Sequence, residues 1–172
     1  RALFNALYDA VFVHDTKGRI VEVNDKMLEI YRCTREETIG LSIVPDFTAP
    51  DNTMGDYQPE IWRKVMAGED QFFEWKARRP SDGSTLDVEV ALTKLPLPEG
   101  DFILASVHDI TERKRFEREL TDTKCYLDTV FNNIHDAVFI HDAEGHVIDV
   151  NDKMLDMYRT TREEAIGRSI IT

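Results

Sequence analysis

The sequence predicts an α+β fold, an antiparallel sheet with helices packed on one face. Two observations carry this. The first 110 residues open on a short apolar, β-rich stretch, follow helical spacing in the middle and alternate with period two towards the end, so the element order is β-β-α-α-α-β-β-β. The front part of that order then recurs. Asp9 to Ile43 aligns without a gap on Asp136 to Ile170, at an offset of 127 and with 23 of 35 positions identical. An offset that long marks a duplicated domain and not a solenoid repeat.

Each element has a local cause. Ala10 to His14 is short, apolar and rich in β-formers, a buried strand. Asp15-Thr16-Lys17-Gly18 makes the turn, and Ile20 to Val23 returns. Asn24 and Asp25 offer a side-chain cap to a helix with Met27, Leu28 and Tyr31 on one stripe. Thr34 to Glu37 has the spacing of a capping box for a short helix that ends at Gly40. Pro45 to Pro59 holds three prolines and reads as loop. Glu60 to Ala67 reads as a helix turned inward through Ile61, Trp62, Val65 and Met66. In the next strand Phe73, Trp75 and Ala77 share a face. Asp82-Gly83 turns the chain into a strand with Leu86, Val88, Val90 and Leu92 inward and Asp87 and Glu89 outward. Pro96 to Gly100 is a connection, and Phe102 to Val107 is the last strand.

Composition narrows the function. The net charge of -12 repels phosphate backbones and anionic lipid, which argues against nucleic acid and membrane surfaces as partners. Cys33 and Cys125 are far apart, which fits a reducing, cytoplasmic setting. No apolar run approaches the length of a membrane span. The chain opens at Arg1 inside an apolar pattern, as a segment of a longer protein would.

This order of elements resembles the PAS fold of the sensory-box type, and the motifs sharpen the match. They are the Asp15 to Gly18 hairpin with Val23-Asn24, repeated as Asp142 to Gly145 with Val150-Asn151. Next come Arg35 to Gly40 and its copy Arg162 to Gly167, then Phe73-Glu74-Trp75 with Asp82-Gly83-Ser84, and finally Asp109 to Lys114, "DITERK". The resemblance implies a five-stranded antiparallel sheet with helices on one face, followed by a long linker helix. It divides the chain into a complete PAS domain (1–110), a helical linker (111–134) and the first half of a second PAS domain (135–172).

The family often holds a small molecule between helices and sheet. Trp62, Met66, Phe73, Trp75, Val90 and Leu92 are the residues that would line such a cavity, which would be apolar and suit a small apolar ligand; the alternative is that they fill the core. Haem sensors of the family use a histidine on the inward helix, and Glu60 to Ala67 has none. Flavin light sensors carry a cysteine in the stretch matching Leu41 to Phe47, where none occurs. Neither haem nor covalent flavin is therefore expected, and the cofactor is left open. Cys33 reads as a small, half-buried side chain. His14 and its counterpart His141 read as strand histidines facing solvent or a carboxylate.

The exit motif reads as a signal relay. Asp109 is placed to cap the following helix with Thr111 and Glu112, the latter at capping-box spacing. Ile110 to Ile134 lacks Pro and Gly. Phe116, Leu120, Leu127, Val130 and Ile134, with Thr123 as the weak point, form an a/d seam that calls for the same helix of a second chain. The alternative is packing of that stripe on the module's own sheet. Leu3 and Leu7, equivalent to Val130 and Ile134, place a similar helix ahead of copy one. No kinase phosphoacceptor box, P-loop or cyclase signature is present. The expectation is a non-enzymatic sensor of a small-molecule or redox signal, homodimeric, feeding a downstream effector. By resemblance that effector is a sensor histidine kinase. The alternatives are a diguanylate cyclase parent and a ligand-free dimerisation spacer. Within the half module, Val138, Ile140, Ile148 and Leu155 are expected to stay exposed unless another chain covers them or the half swaps into the place of Asp9 to Ile43.

Overall fold

The structure is a computed structural model that describes residues 2–52 and 58–170. The chain divides into two units, 1–115 and 116–172.

In the first unit a short helix α1 (Ala2–Asn5) precedes strands β1 (Ala10–Asp15) and β2 (Ile20–Val23). Helices α2 (Asp25–Tyr31), α3 (Arg35–Thr38), α4 (Ile43–Phe47) and α5 (Gln58–Met66) follow, then strands β3 (Gln71–Arg78), β4 (Thr85–Leu97) and β5 (Gly100–Asp109). The five strands form one antiparallel sheet in the order β2-β1-β5-β4-β3. The first strand therefore ends up central, paired with the last across Ala10↔Val107 to Asp15↔Phe102. The core lies between the inner face of the sheet and the helices, with Phe12, Ile20, Met27, Val65, Val88 and Ile103 within 1% of complete burial.

Three expectations are corrected here. The stretch from Pro45 is not all loop, because Ile43–Phe47 forms α4. Pro45 sits in its first turn, where a missing N–H costs nothing, and the Ser42 N–H donates to Asp46 Oδ2 at 2.8 Å. Residues 53–57 of that stretch lie outside the described residues. The last two strands are longer than Pro96 and Gly100 suggested, since Leu97 pairs with Gly100 across a two-residue turn. Pro96 is tolerated because β3 ceases to pair with β4 beyond Leu92, so no ladder bond is lost on that side. The helix ahead of copy one ends at Asn5, before Leu7.

The local signals at the front of the module hold. Asn24 is the N-cap of α2, and Thr34 with Glu37 makes the capping box of α3. Gly18 closes the β1–β2 turn at φ 80, a left-handed conformation suited to glycine. Asn24 is fully buried, and its side chain joins three segments. Its Oδ1 accepts from Val11 N (2.9 Å) and Met27 N (2.9 Å). Its Nδ2 donates to Asp9 O (2.9 Å) and Phe4 O (3.3 Å).

Helix α6 (Thr111–Asn133) is 23 residues long and has no buried residue. The second unit continues with β6 (Phe139–His141), β7 (Val147–Val150), α7 (Asp152–Tyr158) and α8 (Arg162–Ala165). Its details repeat those of copy one. Asn151 accepts from Val138 N and Met154 N and donates to Asp136 O and Phe131 O. Thr161 and Glu164 repeat the capping box. Ile140 and Ile148 are exposed, as expected, at 47% and 53%. Val138 and Leu155 are instead half-buried, Leu155 because it packs on Val147, Val150 and Ala165.

Replacing Asn24 by Ala strands a buried N–H and removes a helix cap at once, so a loss of about 2–4 kcal/mol is expected. The only two tryptophans, Trp62 and Trp75, lie in the first unit. Urea unfolding followed by their fluorescence should therefore shift to lower denaturant in Asn24→Ala and stay in place in Asn151→Ala. Equal shifts would show that the two units do not unfold separately.

Candidate ligand cavity and helix junction

A cavity of about 90 Å³ lies between the inner face of the sheet and helices α2, α4 and α5. Of the six residues expected to line it, Trp62, Phe73, Trp75, Val90 and Leu92 do so. Met66 does not. It packs against the core one turn further along α5, while its carbonyl accepts from Lys94 Nζ at 3.3 Å. Residues from segments read as loop or as simple core complete the lining: Phe12, Tyr31, Phe47 and Thr48 among them. Phe12, Tyr31 and Phe47 form a triangle of edge-to-face rings with centroids 5.3 to 5.5 Å apart. That geometry suits ring quadrupoles and holds the wall rigid. Burial raises the Tyr31 hydroxyl pKa, with the Asp109 charge adding to the effect, so the group stays a phenol.

The sequence predicts His14 as a strand histidine facing solvent or a carboxylate. It is instead 1% exposed and forms part of the cavity wall. The alternation of β1 explains this. Ala10, Phe12 and His14 share the inner face, and β5 covers the strand from one side. The ring stacks on Trp62 (5.3 Å, 17°), whose Nε1 donates to Thr16 O at 3.1 Å. Burial pushes the His14 pKa down, against smaller opposing effects from the Asp15 carbonyl and charge, so the ring is held neutral. The counterpart His141 is exposed, with no counterpart of β5 or α5 over it among the described residues. Strand sequences that differ only by Ile140 in place of Val13 thus give opposite histidine environments. Thr48 reaches the cavity because its backbone bridges to Ala77 of β3, and its Oγ1 is buried without a hydrogen-bond partner. Cys33 lies outside the lining, accepts from Thr38 Oγ1 at 3.2 Å and has its pKa raised chiefly by burial.

The start of α6 is built differently from the expected capping box. Asp109 Oδ1 accepts from Thr111 N at 2.9 Å, a bond two residues on. The first helical acceptor is the Ile110 carbonyl, bonded by Lys114 N. Asp109 therefore stands one position before the cap, and Glu112 is out of reach of a reciprocal bond. Thr111 instead ties the helix to the sheet, with its Oγ1 accepting from Asp87 N at 3.1 Å, while Ile110 N donates to Asp87 O at 2.9 Å.

Sequence reasoning missed the rest of this junction. Glu74 and Glu89 face each other directly across β3 and β4. Like charges so placed repel. Arg113 resolves this by reaching Glu89 at 2.8 Å and Glu74 at 3.6 Å, and Lys114 reaches Glu74 at 2.7 Å. Two outward glutamates in register, followed by a basic pair, was the signal available. Each pair is half exposed and contributes little to stability, though together they orient the first turn. The seam residues Phe116, Leu120, Leu127, Val130 and Ile134 are 38% to 72% exposed in this chain. Cys125 lies off that seam and is exposed.

Comparisons agree with this geometry. A family profile described as PAS fold matches residues 4–115, and one described as PAS domain matches 125–172. The chain is 25% identical over 154 residues to sporulation kinase E of Bacillus subtilis, covering 88% of this chain and 20% of the kinase. It thus spans about a fifth of that relative's length. The PAS domain of an HTR-like protein from Haloarcula marismortui is 32% identical, with a TM-score of 0.52, over 63% of this chain and 92% of that one. A domain of a sensory box sensor histidine kinase/response regulator from Geobacter sulfurreducens shares the fold at 23% identity and a TM-score of 0.51, over 62% of this chain and 88% of that one. Among the described residues no helix is long and apolar enough to cross a membrane. Five antiparallel strands in this order, helices on one face, a strand-to-helix exit and a repeated front half identify the chain as a member of the PAS family, a sensory module of signalling proteins.

Proposed function

We propose that the complete module senses a small molecule in the cavity beside Trp62 and passes its presence through the Asp109–Thr111 junction to α6. The observation that supports this most directly is the cavity itself, a void between sheet and helices with β4 common to both ends of the path. Val88, Val90 and Leu92 of β4 line the cavity, and Asp87 of the same strand bonds Ile110 and Thr111. A ligand that displaces β4 displaces the first turn of the helix. The exposed seam from Phe116 to Ile134 then pairs with the same seam of a second chain in a parallel homodimer. In the whole protein the helix feeds an effector, a histidine kinase by analogy with the relatives. A rival reading makes the module a ligand-free dimerisation spacer. Mass spectrometry of the purified, denatured protein separates the two, because the sensor reading expects a co-purified small molecule or one that can be loaded.

Two outcomes follow. Trp62→Ala in plain core would cost about 3–5 kcal/mol. Beside an existing void the loss should be clearly smaller, as read by denaturant unfolding. A full-size loss together with no bound molecule would refute sensing by this module.

Removing Arg118 to Lys124 shortens α6 by about 10 Å but keeps the seam in phase. Removing four residues turns everything downstream by roughly 50°. In the full-length protein, effector activity with and without stimulus should stay regulated in the first deletion and become locked or inverted in the second. Equal behaviour would make the helix a tether.

A further inference from the structure

The chemistry of the cavity wall defines its ligand more narrowly than sensing alone requires. Among the described residues no charged side chain lines the cavity. Two polar side-chain groups stand out in it. The Thr48 Oγ1 is buried without a hydrogen-bond partner. The other is the imidazole of His14. Its Nδ1 lies 3.3 Å from the Asp15 carbonyl, and in the second copy the His141 Nδ1 lies 2.8 Å from the Asp142 carbonyl. The same orientation in a buried and an exposed copy shows that local backbone sets it, with Nδ1–H donating to the carbonyl. A ring kept neutral by burial then has a lone pair on Nε2, and among the described residues nothing bonds that atom. The buried Thr48 hydroxyl, left without a partner, is costly unless a ligand supplies one, and the Nε2 lone pair of the lining His14 can accept from the same ligand. The stacked pair His14–Trp62 and the Phe73–Trp75 pair give the wall flat aromatic faces. Size sets the last limit. A cavity of roughly 150 Å³ holds benzene, so about 90 Å³ calls for a molecule smaller than a six-membered ring.

We infer that the ligand of this cavity is a small, uncharged, planar molecule, of the size and class of a five-membered nitrogen heterocycle, that donates a hydrogen bond to His14 Nε2 and accepts one from the Thr48 hydroxyl. The inference rests on the proposed sensing role and deepens it.

Because both tryptophans line the cavity, intrinsic fluorescence reports its occupancy directly. Three rings of nearly equal size serve as probes at neutral pH: furan, with no N–H; pyrrole, with an N–H donor; and pyrazole, with a donor and an adjacent acceptor. The expected order of affinity is pyrazole over pyrrole over furan, each step about tenfold. His14→Phe should abolish the preference of pyrrole over furan. Thr48→Val, which keeps shape and removes the hydroxyl, should abolish the preference of pyrazole over pyrrole. Furan binding as tightly as pyrrole to the unaltered chain would overturn the ligand assignment while leaving cavity sensing intact. No response to any of the three rings would overturn both. The ranking on the unaltered chain decides the matter even if a variant fails to fold.

Discussion

The buried side chain of Asn24 is the constraint on which the module depends. Strand β1 must end up in the middle of the sheet, yet its first residues follow directly on the incoming chain, and β2 must turn at once into α2. At that crossing several backbone groups of different segments are withdrawn from water together. One carboxamide satisfies them, with its oxygen taking Val11 N and Met27 N and its amide serving Asp9 O and Phe4 O. An aspartate in its place would lack the donors, and a serine the reach. Asn151 repeats the arrangement around Phe131, Asp136, Val138 and Met154. The crossing thus rests on the same carboxamide in both copies.

Once β1 is central, the remaining chemistry follows from its alternation. Its inner face delivers Phe12 and His14 to the same space that Trp62, Phe73 and Trp75 approach from α5 and β3. Large flat rings meeting from three directions do not interdigitate as aliphatic side chains do, and a void remains. The outer end of the sheet solves a different problem. Glu74 and Glu89 would make β3 and β4 repel there, and the basic first turn of α6 answers with Arg113 and Lys114. The cavity and the helix junction are therefore opposite faces of the same strands.

What was legible in the residues is what short-range chemistry decides. The Asp15 to Gly18 turn, the Asn24 cap, the Thr34–Glu37 box and the alternating strands about Asp82-Gly83 all act within a few positions. The remainder depends on partners distant in sequence. Helix α4 was hidden because Pro45 and its polar neighbours resemble loop, and what stabilises the helix is the docking of Phe47 on Phe12 and Tyr31. His14 was misread because a histidine after an apolar run gives no sign of being covered by β5 and stacked on α5. Met66 and Trp62 lie on the same stripe of α5, and only the three-dimensional position of the void separates them. Asp109 bonds Thr111 N from one position before the cap because Ile110 is drawn to Asp87, a strand away.

The duplication also sets a problem of timing. Ala137 to Asp142 differs from Ala10 to Asp15 only by Ile140 in place of Val13. On chemistry alone either segment is a suitable neighbour for β5. They do not become available together. Phe139 follows Asp109 by 30 residues, which at about 5–20 residues/s is a delay of roughly 2–6 s. Small mixed domains close in milliseconds to about a second. The ribosome therefore hands β5 to the earlier strand before its near-copy exists, and the competition between two almost identical sequences is decided by the direction of synthesis.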